Sequence, residues 1–222
     1  MQPFQPYRAI IFDFDYTLAD SSRGVIDCVN FALERMGLPP ADPDKICRAI
    51  GISLPETLRL LAGEKYLEKS AEFIRLFTER ADSVMEKMTV VYPSVPVAFH
   101  RLRGMDLKLG IVSSKYRYRI EDILKREGLL EAVDVIIGGE DVERHKPDPS
   151  GLLSAVDRLG GSPLKALFVG DSLTDAETAR RADVAFAAVL TGVTEAAAFR
   201  DYPAVKIAGD LIQMTDWILT GC

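Results

Sequence analysis

Arg8-Ala9-Ile10-Ile11-Phe12-Asp13-Phe14-Asp15-Tyr16-Thr17 decides the fold: an apolar run that ends in two acids. The apolar part reads as a strand buried on both faces, because a parallel-sheet strand covered by helices on each side has no solvent face to keep polar. Beyond these acids the period of the apolar residues changes. From Val25 to Met88 only helical patterns occur. Val25, Val29, Ala32 and Met36 share one face, and Gly37 is placed to stop that helix. Pro43 to Ile50 and Pro55 to Ala62 read as two short helices with proline in the first turn. Leu67, Ala71, Ile74, Phe77, Ala81, Met85 and Met88 recur every three or four residues and predict one long amphipathic helix.

After Pro93 strand and helix alternate. Strands are predicted at Leu107 to Val112, Val133 to Ile137, Ala166 to Val169, Val184 to Val189 and, weakly, Ala204 to Ile207. Helices are predicted at Arg117 to Glu127, Ser150 to Leu159, Thr174 to Ala182, Glu195 to Phe199 and Asp210 to Leu219. This grammar predicts an α/β protein with a Rossmann-like, three-layer, parallel-sheet core and an inserted helical cap. The core is expected over residues 1–19 and 91–222, discontinuous in sequence, and the cap over residues 20–90.

The composition fits a soluble globular chain: 222 residues, 48% apolar and 27% charged. A net charge of -6 argues against a nucleic-acid surface, which needs a basic face, but leaves room for a small anionic substrate held by a local cation. Cys28, Cys47 and Cys222 form no CxxC pair and read as reduced thiols of a cytoplasmic protein. The N-terminus lacks a basic segment followed by a long apolar one, so no secretory leader is expected, and no run approaches the ~20 apolar residues of a membrane span.

The chemistry lies where strands end. Asp13 and Asp15 follow the first strand, Ser113 follows the second core strand, and Asp171 and Asp175 follow a third in Gly170-Asp171-Ser172-Leu173-Thr174-Asp175. Lys146 sits in Lys146-Pro147-Asp148-Pro149, where two prolines restrict its loop. Ligands of open α/β sheets bind beyond the carboxyl ends of the strands, so the sheet alone brings these groups together. Two like charges about 4 Å apart repel by about 4 kcal/mol at an effective dielectric near 20. Clustered carboxylates therefore need a divalent cation and a lysine. Oxygen donors without a His or Cys cluster point to Mg2+ rather than zinc, and a nucleophilic carboxylate beside a cation suits a phosphate ester. Ser113-Ser114-Lys115 reads as the opening of a helix whose free N–H groups would receive phosphate, Asp148 as a cap for the helix near Ser150, and His145 as a solvent-facing neighbour of Lys146.

In motif order and in the position of the insert, the chain resembles the haloacid dehalogenase superfamily, in its phosphatase branch and closest to the phosphoglycolate phosphatase-like group. That resemblance implies that Asp13 attacks phosphorus, that Asp15 exchanges a proton with the leaving oxygen and with water, that Ser113 binds a phosphoryl oxygen, and that Lys146 offsets charge. It implies Mg2+ held by Asp13, the Asp15 backbone carbonyl and Asp171, with Asp175 steadying the site from one layer out. Thr17, Ser114, Arg48 and Gly51 complete the expected substrate-binding set, the last two from a cap loop that selects the leaving group in related enzymes. The implied reaction is hydrolysis of a small phosphorylated metabolite; a β-phosphoglucomutase-like sugar phosphomutase and an inorganic pyrophosphatase are the alternatives. Neither nucleic acid nor membrane is expected as a partner, and the chain is expected to be a monomer or homodimer. One position departs from the family pattern. Tyr16 stands where glycine is usual, and tyrosine is expected to impose an ordinary backbone conformation there.

Overall fold

The computed structural model describes residues 7–220, so Cys222 lies outside the described residues. The chain divides into two compact units, residues 1–19 with 91–222, and residues 20–90. In chain order the elements are β1 (Ala9–Phe12), β2 (Ala19–Asp20), α1 (Ser22–Arg35), α2 (Pro43–Arg48), α3 (Leu54–Ala62), α4 (Ser70–Met88), β3 (Val90–Val91), α5 (Ser94–Arg103) and β4 (Lys108–Val112). Next come α6 (Arg117–Arg126), β5 (Val135–Ile137), α7 (Ser150–Arg158), β6 (Ala166–Gly170), α8 (Leu173–Ala182), β7 (Ala185–Val189), β8 (Ala204–Ala208) and α9 (Leu211–Thr220).

The first unit carries a six-stranded sheet in the order β5-β4-β1-β6-β7-β8. Its pairings are all parallel, with Phe12 opposite Ile111 on one side and Val169 on the other. β1 is central because every one of its side chains is apolar and buried. Alternation along it feeds both faces: Ile10 and Phe12 join a cluster with α5, α6 and α9, while Ala9 and Ile11 join one with α7 and α8. The chain builds the sheet outward from β1 in opposite directions, towards β4 and β5 first and towards β6, β7 and β8 afterwards. The crevice at that reversal is where such sheets place ligands.

The second unit has its own core, in which Cys28, Val29 and Leu33 of α1 meet Phe73, Phe77, Ala81 and Met85 of α4, with Ile46 and Leu58 filling the side. Gly24 marks the closest approach of α1 and α4, since a Cβ there would lie 2.9 Å from Met85 Sδ and 3.3 Å from Met88 Cβ. Asp27 and Arg80 join the same two helices by a paired contact at 2.8 Å. Gly37 ends α1 with φ of +72°, a conformation glycine adopts without steric cost. The long helix begins later than its apolar pattern predicts: Glu64–Lys69 is a 3-10 turn, and Leu67 belongs to it. The segment predicted as a helix at Glu195 to Phe199 is likewise a 3-10 turn, Ala196–Asp201. Among the described residues no helix is long and apolar enough to cross a membrane.

Candidate active site

Asp13 leaves β1 with its backbone N–H donating to the Val169 carbonyl at 2.9 Å, and Ser113 leaves β4 donating to the Ile137 carbonyl at 3.0 Å. Each motif residue is thereby locked to the end of the neighbouring strand. Asp171 follows β6 directly. Asp175 lies in the first turn of α8, in a capping box: its N–H donates to Ser172 Oγ at 3.2 Å, while Ser172 N–H and Oγ donate to Asp175 Oδ2 at 3.2 and 2.6 Å.

These elements bring Asp13, Asp171 and Asp175 together, with one carboxylate oxygen from each inside a 4.8 Å group. All three are buried. Lys146 reaches between them: Nζ lies 2.9 Å from Asp13 Oδ1 and donates to Asp175 Oδ1 at 2.6 Å. The ammonium also lies 5.8 Å from the centre of the Phe168 ring. Its hydrogen bond goes to Asp175, and its contact with the buried Asp13 Oδ1 is an ion pair. Thr17, expected to touch substrate, is fully buried and donates to Asp171 Oδ1 at 3.2 Å.

Electrostatics follow from the geometry. Burial pushes the Asp13 carboxyl above the usual range; Lys146 draws it back, and Asp175 and Asp15 push it up again. Asp171 is raised in the same way, by burial first and then by Asp175 and Asp13. Burial works against the Lys146 ammonium, but Asp13 and Asp175 overcome it and hold the group charged. With all three carboxylates ionised, one ammonium would leave two negative charges in a desolvated space. An all-oxygen cluster with that deficit fits a hard divalent cation.

Asp15 takes another partner. Its Oδ1 lies 3.2 Å from Lys115 Nζ, and both side chains are almost fully buried. Lys115 is the member of this site that motif reading understated. Thr191 and Gly192, beyond β7, were missed altogether. Thr191 Oγ1 donates to the Tyr16 carbonyl. A Cβ at Gly192 would lie 1.9 Å from Asp171 Oδ2, so only glycine leaves room for that acid. The signal available in the sequence was a Thr-Gly pair at a strand end.

Three expectations are corrected. Tyr16 does not keep an ordinary backbone: its φ is +61°. Left-handed geometry is imposed by a tight turn in which Tyr16 N–H donates to the Ala19 carbonyl at 2.7 Å and Leu18 N–H to the Phe14 carbonyl at 2.9 Å. Ser113-Ser114-Lys115 does not open a helix. α6 starts at Arg117, and the Arg117 N–H is taken by the Glu140 carboxylate at 2.8 Å, so it is not offered to phosphate. His145 is not simply solvent-facing: it is half-buried, with Nδ1 buried and without a hydrogen-bond partner, and that burial lowers its pKa. Asp148 does take the Ser150 N–H, at 3.0 Å. Arg48, exposed, and Gly51, with φ of +96°, fall in the second unit.

Comparison with known proteins agrees with this architecture. The family model described as haloacid dehalogenase-like hydrolase matches residues 10–189. Phosphoglycolate phosphatase of Aquifex aeolicus is 31% identical over 185 residues, covering 83% of this chain and 85% of that protein. Phosphoglycolate phosphatase of Escherichia coli O157:H7 is 30% identical over 203 residues, covering 82% and 81%. A crystal structure from Bacteroides fragilis, described as a haloacid dehalogenase-like hydrolase, superposes with a TM-score of 0.90 at 41% identity, over 94% of this chain and 99% of that one.

Proposed function

The chain belongs to the haloacid dehalogenase-like hydrolases, and from that premise we propose that it is a Mg2+-dependent phosphatase cleaving a small-metabolite phosphate monoester of the phosphoglycolate type. The observation that carries this reading is the buried carboxylate Asp13, bridged to Asp175 by Lys146 beside Asp171. This supports a nucleophile, a charge-offsetting ammonium and an oxygen cluster for a cation at the carboxyl edge of the sheet.

In this proposal an Asp13 oxygen attacks phosphorus while the bond from phosphorus to the leaving oxygen breaks. Asp15 gives that oxygen its proton, and an aspartyl-phosphate remains on Asp13. Water then attacks the phosphorus. Asp15 takes back a proton from that water, and the bond to Asp13 breaks to release phosphate. Ser113 Oγ donates to a phosphoryl oxygen, and Lys146 offsets negative charge between Asp13 and the phosphoryl group. Asp13, Asp171 and the Asp15 backbone carbonyl would hold the Mg2+, with Asp175 beside them. Bound there, the ion supplies neutralisation of the phosphoryl oxygens. The helical unit, residues 20–90, is assigned selection of the leaving group, with Arg48 and Gly51 as its contributors. The names of the two relatives support phosphoglycolate as the substrate to try first.

The test is phosphate release from phosphoglycolate, hexose phosphates and pyrophosphate, with and without Mg2+. Release from phosphoglycolate with Mg2+ alone is expected. Asp13→Asn is expected to lower turnover by at least about 10³-fold while keeping the fold. Undiminished activity in that variant, or isomerisation of a hexose 1-phosphate without phosphate release, overturns the reading.

A further inference from the structure

Two buried ammonium groups face the acids of this site, and the phosphoryl-transfer steps use only Lys146. We propose that Lys115 is the positioning residue of Asp15, fixing the carboxyl that hands its proton to the leaving oxygen. This rests on the phosphatase reading.

The geometry points there from both sides. Lys115 Nζ lies 3.2 Å from Asp15 Oδ1, and the two side chains are 5% and 10% exposed. A lysine at the mouth of a crevice ordinarily keeps its ammonium in water, and withdrawing it costs desolvation and side-chain freedom. Here that cost is met on one acid. The backbone that delivers Lys115 is held on both sides of its Cα: its N–H donates to Ser113 Oγ at 3.3 Å and its carbonyl accepts the Gly139 N–H at 3.1 Å. Gly139 sits so close that a Cβ would lie 2.5 Å from the Ser114 carbonyl oxygen, which fixes the loop after β4 against the loop after β5. Asp15 in turn precedes the left-handed Tyr16, whose N–H closes the turn onto Ala19. Both partners therefore stand on rigid backbone.

The two ammonium groups divide the work. Lys146 is shared by Asp13 and Asp175, whereas Lys115 is set on Asp15. With Lys115 holding Oδ1, Asp15 is the group that gives up the proton. That proton passes to the ester oxygen as that oxygen leaves phosphorus, and Lys115 keeps all three of its own protons. A carboxyl free to turn away would lose the alignment that proton transfer requires.

The discriminating measurement is leaving-group dependence. A nitrophenolate departs without a proton, whereas an alkoxide needs one. Lys115→Gln is expected to lower kcat/KM for phosphoglycolate by at least about tenfold, and for p-nitrophenyl phosphate by less than about threefold, since general acid catalysis contributes about 10²–10⁴ where it is needed. Asp15→Asn is expected to show the same selectivity, and the double variant to be no worse than Asp15→Asn alone. Lys115→Arg, which keeps the charge and guards against a variant that does not fold, is expected to recover part of the alkyl-ester activity. A readout without turnover accompanies these: Lys115→Gln lowers the melting temperature of the metal-free protein, and that loss shrinks in the Asp15→Asn background. Equal losses on the two esters, additive losses in the double variant, or no loss at all overturn the proposal. A wild-type protein that cleaves neither ester with Mg2+ overturns instead the phosphatase reading, before any variant is made.

Discussion

Tyr16 holds a left-handed backbone that ordinarily costs a side-chain-bearing residue about 1–2 kcal/mol. The surrounding hydrogen bonds from Tyr16 N–H, Leu18 N–H and Thr191 Oγ1 over-determine the turn, so the conformation persists with tyrosine in it. Comparing two truncations isolates the backbone contribution, because both lose the ring. Tyr16→Gly is expected to be more stable than Tyr16→Ala by about 1 kcal/mol in urea unfolding. Equal stability removes strain from the account. This residue also marks a boundary of sequence reading. Asp13 and Asp171 were legible because each stands in a short motif at a strand end, and Lys146 because it opens a proline-restricted loop motif; the structure brings the three together. The angle at Tyr16 was not, since a positive φ at a non-glycine residue is rare and is fixed by contacts as distant in sequence as Thr191. Lys115 was equally opaque: its partner Asp15 follows a different strand, and nothing local announces the pair.

At the scale of elements, the strands were easier to read than the helical unit. β1, β4 and β6 are buried on both faces, and their runs of Ile, Val, Leu and Phe have no other plausible use. Glu64–Lys69 defeated the periodic pattern because 3-10 and α-helical turns both return side chains to one face every three to four residues. Packing within the second unit makes its own prediction. Phe73 of α4 is fully buried in the cluster that α4 forms with α1, with its ring centre 6.3 Å from that of Phe77. Phe73→Ala is expected to cost about 3–5 kcal/mol in chemical denaturation. Leu60, in α3 and 54% exposed, serves as the control, and Leu60→Ala is expected to stay within about 0.5 kcal/mol of wild type. Similar losses at both positions contradict the core described for residues 20–90.

Across the whole molecule, the acid cluster couples stability to pH and to metal. Asp13 and Asp171 titrate in the folded chain above their ordinary value of 3.8, at about 7 and about 9. The folded state then binds more protons than the unfolded one, so stability is full below the unfolded value and is lost as pH rises through the folded ones. The metal-free protein is expected to melt at a higher temperature at pH 5 than at pH 9. Mg2+ is expected to raise the melting temperature more at pH 9, where the acids are charged and competent to bind it. A profile indifferent to pH, or a Mg2+ effect equal at both ends, rules out the charge deficit inferred from the three carboxylates. The sheet has one more consequence. Ala9 pairs with Lys108 and with Ala166, so β1 gains its second neighbour only when β6 has been made. At roughly 5–20 residues per second, a ribosome needs on the order of ten to thirty seconds after finishing Phe12 to deliver Gly170. Throughout that interval one edge of β1 has no partner strand, and Asp171, which follows β6, has yet to join Asp13.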